Sequence, residues 1–357
     1  MRNIFEDLFV LEMANNHWGS LERGLRIISD YAKIVRFNNV RAAIKLQFRD
    51  VKTFIHRDFL GSDERYIRKT LDTAMDHRDF MTMLKAIKNQ NCLTMATPFD
   101  EVSVGWCRDL DLIKIASSDI NDWFLIQELA KLRKPVIVST GGSSLKDIDD
   151  LVLFFEHRNI PLAINHCVAL YPTEDGELEL NQIDFLRQRY PGHVIGLSTH
   201  EHRDWRSSLF IAYAKGARTF ERHVDIEGGP APVSSYCSLP HQIDEWFKAF
   251  KKAQEMCGAN GSAKRIPSVR EIRYLDKLVR GVYAKSDMPE GKILTPDDVY
   301  LAIQLQEGQI SCREFMYGET LLTAIKKDKP VMMEMIDTPY APVRRGFDSL
   351  IDAGRTS

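Results

Sequence analysis

A lysine stands in the middle of Leu112-Ile113-Lys114-Ile115-Ala116, a short, branched, apolar run of the kind buried on both faces of a strand. An isolated buried ammonium is too costly to stand alone, so Lys114 either carries its head out along its methylenes to water or meets an anion. A second lysine, Lys45, lies in another such run, with Gln47 two residues on and therefore on the same strand face. Two ammonium groups facing one cavity repel unless an anion lies between them. Thr97, Ser117, Ser139 and Ser198, each near the end of an apolar run, supply hydroxyls suited to phosphate or carboxylate oxygens. His200 and His223 close two further runs. Neighbouring strand ends lie ~5 Å apart, which suits two imidazoles on one divalent cation with water or substrate in the other positions; a histidine satisfied by ordinary hydrogen bonds explains the same pattern. Glu12, inside VLEMA, must either pair with a cation or act as an acid/base, and the lysines and the histidine pair are its obvious partners.

These residues need a frame that gathers their strand ends. Eight short apolar runs occur between residues 8 and 224: LFVLEMAN, VRAAIKLQF, CLTMATPF, LIKIASSD, PVIVSTGG, PLAINHCVA, VIGLSTHE and RTFERHV. Stretches of helical period lie between them, one opening at Ser20-Leu21-Glu22-Arg23 and others over 121–132, 144–158 and 205–215. Eight strand–helix repeats in about 250 residues predict a (β/α)8 TIM barrel over 1–257, where chemistry sits at the C-terminal strand ends. The small and polar residues of MCGANGSAKRIPS mark 258–275 as a linker, the Pro/Gly turns beyond it predict a small β-rich domain over 276–337, and 338–357 reads as a tail.

Composition sets the surroundings. A net charge of −2 over 357 residues offers no basic field for nucleic acid, and no run of 18 apolar residues is present to span a membrane. The opening MRNIFEDLFV lacks the pattern of a signal peptide, so the expected location is cytoplasmic. The six cysteines lack CxxC spacing and are expected to be reduced and structural.

The chain resembles the sialic acid synthases, including N-acetylneuraminate and spore-coat polysaccharide synthases, which condense phosphoenolpyruvate with an amino-sugar aldehyde. The matching stretches are E-M-A-N-N-H-W-G-S at 12–20, I-K-L-Q at 44–47, T-P-F at 97–99, I-K-I-A-S at 113–117, V-S-T-G at 138–141, H-C-V-A-L-Y-P at 166–172, G-L-S-T-H at 196–200 and E-R-H at 221–223, all in the family's order. Residues 282–299 resemble the opening of that family's antifreeze-like (SAF) domain. The resemblance implies that Lys45, Thr97, Lys114, Ser117, Ser139 and Ser198 hold phosphoenolpyruvate. It places His200 and His223 on a manganese or magnesium ion, Glu12 on the acid/base carboxylate with Glu221 and His166 beside it, and Gln47 and Tyr171 on the aldose acceptor. It also implies a homodimer, the C-terminal domain of one chain reaching over the partner's barrel.

Four places depart from the family's pattern. Ala169 replaces an asparagine, Thr199 replaces the aspartate of G-L-S-D-H, and GGPAPVSSYCS lacks the aspartate that grips acceptor hydroxyls, with Ser234 nearest in register. The arginine of R-P-G is also missing from LAIQLQEGQIS. The expectation is therefore an acceptor other than N-acetylmannosamine, unless Gln304, Gln306 or Arg49 replaces the lost contacts. Two rival readings stay open at this level: a metal-dependent (β/α)8 aldolase or lyase acting on a pyruvate-like anion, and a catalytically silent relative that binds carbohydrate.

Overall fold

The computed structural model describes residues 3–258, 261 and 263–337. The chain forms two compact units, Met1–Gly258 and Ala259–Ser357.

In the first unit eight parallel strands close into a barrel: β1 (Leu8–Ala14), β2 (Arg41–Phe48), β3 (Leu93–Pro98), β4 (Leu112–Ile115), β5 (Val136–Ser139), β6 (Leu162–Cys167), β7 (Val194–Thr199) and β8 (Thr219–His223), with β8 pairing back onto β1. Helices follow the strands, as the alternating runs predict. Their ends are set by local chemistry. Ser20 accepts from the Arg23 N–H at the start of the helix Leu21–Asn38, and Ser144 and Asp147 form a reciprocal capping box on Leu145–Glu156.

Side-chain alternation divides the strands into two faces. Leu8, Val10, Ala43, Met95, Leu112, Ile137 and Ala163 point inward and plug the lower barrel together with Phe5. The alternate residues, among them Phe9, Leu11, Ile44, Ile113, Val138, Ile164, Leu197 and Phe220, pack outward against the helices. Phe9, for example, meets Trp246, Phe247 and Phe250 edge-on, at centroid separations of 4.9, 4.7 and 4.9 Å. The plug decides where function can lie: inward positions above it form the only part of each strand whose side chains face one another without apolar filling.

β4 is shorter than the apolar run suggests. Ala116 remains extended, but Ser117–Asp119 turn into a 3-10 helix, so Ser117 stands beyond the strand end rather than in it.

The second unit has its own core, including Val282, Leu294, Val299, Ile310 and Val331, and an antiparallel pair β9 (Gly281–Ala284) and β10 (Val299–Ala302). The stretch expected to be a plain linker contains an eight-residue helix, Val269–Asp276, started by Ser268 accepting from the Glu271 N–H. The tail 338–357 lies outside the described residues. Among the described residues no helix is long and apolar enough to cross a membrane, and all six cysteines are free thiols.

Candidate active site

Above the plug, the inward residues of β1, β2, β4 and β8 bring four charges together. Lys45 Nζ lies 2.8 Å from Glu12 Oε2 and 2.6 Å from Glu221 Oε1. Lys114 Nζ lies 3.7 Å from Glu221 Oε2 and donates to Ser139 Oγ at 2.7 Å and to the Ile115 carbonyl at 3.3 Å. Lys114 is 3% exposed, which removes the rim-lysine reading; its charge is met inside the barrel. The strand registers produce the arrangement, since Glu12 pairs with Lys45 on one side and with His223 on the other, and Ser198 pairs with Glu221. Gln47 donates to Glu12 Oε1 at 2.8 Å and so fixes its carboxylate.

The set is incompletely satisfied. Thr97 Oγ1 is buried without a hydrogen-bond partner, and Glu12 Oε2 and Glu221 Oε2 have only ion-pair neighbours. A buried hydroxyl left without a partner is costly and rare in a finished core, which marks this cavity as one that a polar ligand completes.

Electrostatics follow from burial. Desolvation pulls Lys45 down to about 8, with Glu221 opposing the shift and Lys114 reinforcing it. Desolvation pushes Glu221 up, but Lys114 and Lys45 outweigh it and hold the carboxyl below its ordinary range. His223 is held well below 6.5 by burial and by the adjacent His200, and burial takes His200 to about 4. Both imidazoles are thus neutral near pH 7, the form that can ligate a metal. His200 Nδ1 donates to the Val168 carbonyl at 3.0 Å, which leaves the Nε2 lone pair free. The two rings are 5.3 Å apart, and Tyr171 and Tyr236 wall them in at 4.0 to 6.5 Å. Among the described residues no group of three or more His, Cys, Asp or Glu could hold a metal, so a cation at this pair would share its remaining positions with substrate or water oxygens.

Most of the expected site residues converge here: Glu12, Lys45, Gln47, Thr97, Lys114, Ser139, Ser198, Glu221, His200 and His223 by inward alternation, and Ser117 and Tyr171 from the loops just above. His166 does not. It sits one residue out of step with the inward Asn165 and Cys167, and its Nε2 donates to the Leu178 carbonyl at 2.8 Å on the outer side of β6. Thr199 is outward as well and hydrogen-bonds Glu201, so its departure from the aspartate of the resembled motif says nothing about the acceptor.

Three lining residues were not expected. Cys167, expected only to be a reduced, structural cysteine, has its thiol facing Ser117 and Ser198 beside Lys114, and burial raises its pKa. Asp119, at the end of the 3-10 turn, is raised to about 6 by burial despite Ser118 and Arg49 nearby, and its Oδ2 has no partner. Tyr236 comes from the loop after β8 and packs edge-on to His223 at 5.3 Å. Strand parity fixed at Asn165 would have placed Cys167 inside, whereas no sequence signal marks the turn carrying Asp119. Gly141 has a clear role: a methyl group there would stand 2.9 Å from both Ser117 Oγ and Ala169 Cβ, so the small Ala169 belongs to this tight crossing.

The model of the NeuB family matches residues 31–262. The chain belongs to the NeuB family. A solved structure from Chromobacterium violaceum, assigned to spore coat polysaccharide biosynthesis as protein E, is 36% identical to this NeuB protein, with a TM-score of 0.86 over 93% of this chain and 100% of that one. The pseudaminic acid synthase of Campylobacter jejuni is 26% identical over 309 residues, 83% of this chain and 87% of that protein. The N-acetylneuraminate-9-phosphate synthase of Drosophila melanogaster is 28% identical over 362 residues, 90% and 94% of the two chains.

Proposed function

We propose that this NeuB protein condenses phosphoenolpyruvate with an aldose to give a 3-deoxy-2-ulosonic acid, of the sialic acid type, and inorganic phosphate. The observation that carries the reading is the inward set of Lys45, Lys114, Ser139, Ser198 and the unpartnered Thr97 hydroxyl: two ammonium groups and a ring of donors, buried above an apolar plug, suit a small polyanion. The names of the relatives, synthases of pseudaminic acid and N-acetylneuraminate-9-phosphate, support the same reaction class.

In this reading Lys45 and Lys114 bind the phosphate and carboxylate and stabilise the charge on the departing phosphate. The C3 carbon of the enol phosphate attacks the aldehyde carbon, forming the C–C bond. Water adds to C2, one of its protons ending on the former aldehyde oxygen, and the hemiketal phosphate collapses by C–O cleavage, its hydroxyl proton leaving with the phosphate. Glu12, held by Lys45 and Gln47, is placed to take the proton from that water. His200 and His223 would hold a manganese or magnesium ion, for which their neutral state and the free Nε2 of His200 fit. When bound, the ion supplies Lewis-acid polarisation of the aldehyde oxygen. The acceptor is read as an aldose other than N-acetylmannosamine, because Ala169, Ser234 and the missing R-P-G arginine leave an N-acyl sugar without its expected contacts. The second unit is read as antifreeze-like, and the working assembly as a cytoplasmic homodimer, which light scattering tests.

The reaction is tested by assaying phosphate release from phosphoenolpyruvate against a panel of aldoses, with and without manganese. Aldose-dependent release that is lost in chelator and in His200→Ala and His223→Ala is expected. Full activity of the double variant in chelator would overturn the metal assignment, and no aldose-dependent release from any acceptor would overturn the reaction.

A further inference from the structure

The interior of a (β/α)8 barrel is stacked in layers of four side chains, each layer drawn from alternate strands. Because the strands tilt, each step along the paired residues Arg41, Leu8, Thr219, Gly196, Asn165 and Ser139 climbs the barrel axis by about one residue. On that count Val10, Met95, Ile137 and Gly196 form one layer, and Lys45, Lys114, Asn165 and Glu221, from β2, β4, β6 and β8, form the next. Thr97 stands with Glu12, Ser139 and Ser198 in the layer above. Asn165 is therefore the fourth member of the charged layer, across the barrel from Lys45.

Its amide is only half used. Asn165 is fully buried, and its Oδ1 accepts from the hydroxyl of Thr219, which lies beneath the layer of Gly196. Gly196 makes room for that bond, since a side chain there would collide with both Thr219 Oγ1 and Asn165 Oδ1. Asn165 Nδ2 has no acceptor, although Glu221 Oε2 in the same layer is itself without a hydrogen bond. With Oδ1 committed downward, the NH2 is the part of the amide left for the charged layer. An orphaned buried donor is costly in a finished core. A neutral donor set among two ammonium groups and a carboxylate strengthens the pull on an anion without adding a charge whose burial must be offset.

We infer that Asn165 is a further substrate-binding residue, its Nδ2 donating to the deepest oxygen of the anion that Lys45 and Lys114 hold. This rests on the proposed condensation, in which that anion is phosphoenolpyruvate. Thr219 and Gly196 hold the amide from below, and the amide sets the depth at which the anion seats.

Direct titration with phosphoenolpyruvate, beside urea denaturation, tests the assignment. Replacing both partners of a buried bond by apolar groups of similar shape costs little stability. The double variant Asn165→Leu/Thr219→Val should therefore unfold close to wild type, yet bind phosphoenolpyruvate roughly ten- to a hundredfold more weakly, the loss of one hydrogen bond to a charged group. Thr219→Val alone leaves Nδ2 in place; it should lower stability and keep the affinity near wild type. Asn165→Asp keeps the size of the side chain and its bond to Thr219 but sets a charged acceptor where the donor was, and affinity should fall further than in the double variant. Unchanged affinity in a folded double variant would overturn the inference, because the amide then serves only Glu221 or the fold, and so would an equal loss in Thr219→Val. Should the double variant not fold, wild-type affinity in Asn165→Asp overturns it instead. Inorganic phosphate and pyruvate, the two halves of the substrate, separate the donor from the reaction. If wild type binds either of them but not phosphoenolpyruvate, and Asn165→Asp abolishes that binding, the condensation falls and the donor stands; if wild type binds none of the three, both fall.

Discussion

Two buried charge clusters lie back to back on β7 and β8, and they are built differently. Outside the barrel, Arg222 NH1 sits 3.0 Å from Glu201 Oε2, its NH2 donates to the Glu201 carbonyl at 2.6 Å and its Nε to Ser238 Oγ at 2.6 Å, while Thr199 and Ser208 donate to the two oxygens of Glu201. Inside, one residue away along the same strands, Glu221, Lys45, Glu12 and Lys114 leave Thr97 Oγ1 without a partner and two carboxylate oxygens without hydrogen bonds. The outer cluster leaves one atom, Arg222 NH1, with an ion-pair neighbour but no hydrogen bond, whereas the inner one leaves two carboxylate oxygens in that state and the Thr97 hydroxyl with no partner of either kind. A buried ion network nearly complete within the protein fixes the fold, whereas one left more open has room for a ligand.

The sharpest way to break this comparison is Arg222→Leu. It leaves Glu201, fully buried, without its cation, and removing one partner of a buried pair typically costs about 3–5 kcal/mol. Urea denaturation should show that loss, and Glu201→Leu added to it should recover part. If the single variant unfolds like wild type, the outer cluster is not structural.

Lys114→Met should behave in the opposite way. Glu221 keeps Lys45 at 2.6 Å, so stability should fall less than for Arg222→Leu. Phosphoenolpyruvate binding loses a charge-assisted contact, about 1.5–3 kcal/mol or roughly ten- to a hundredfold in affinity. A direct titration with unchanged affinity would make Lys114 a structural counter-ion to Glu221.

The barrel was legible because its rule is repetitive: buried strands read as continuous apolar runs, and caps such as Ser20 and Ser144 announce the helices. The site was legible where alternation could be counted from a reliable strand, as for Lys45 and Gln47. It failed at β6, where His166 looked chemically attractive but its parity sends it outward, and at Thr199 for the same reason. Asp119 and Tyr236 were missed because they stand in turns, where no period predicts direction. Arg49 was noticed only as a substitute contact; its seat between Asn15 and the face of Phe99 is a three-dimensional fact.

A smaller effect separates the clusters by pH. Lys45 falls to about 8 in the fold from about 10.5 when unfolded. Both states are protonated below 8, where its burial opposes folding. Between 8 and 10.5 the unfolded chain binds the extra proton, so this group's opposition fades and its contribution to stability improves as pH rises. Binding runs the other way, because the site loses an ammonium above 8. The kcat/KM for phosphoenolpyruvate should decline toward tenfold per pH unit beyond that point, while kcat, which reports the bound state, holds to higher pH. A flat kcat/KM profile from pH 7 to 9.5 would remove Lys45 from the anion site.

The smallest expected effect belongs to Thr199, and it tests whether the acceptor can be read from motif letters alone. Thr199 faces the helix Trp205–Ala214, and its hydroxyl donates to Glu201, which also accepts from Ser208 on that helix. Thr199→Val keeps the shape and removes one donor from a carboxylate that retains Arg222 and Ser208, a loss of about 1 kcal/mol. Thr199→Asp, which restores the letter of the resembled motif, would set a second carboxylate beside Glu201 and should destabilise more than Thr199→Val does. Neither change reaches the cavity, so the ranking of aldoses should be the same in both variants as in wild type. A shift in that ranking toward N-acetylmannosamine in Thr199→Asp would show that the outer face of β7 helps to choose the acceptor, and the division between a nearly closed outer cluster and an open inner one would fail at that strand.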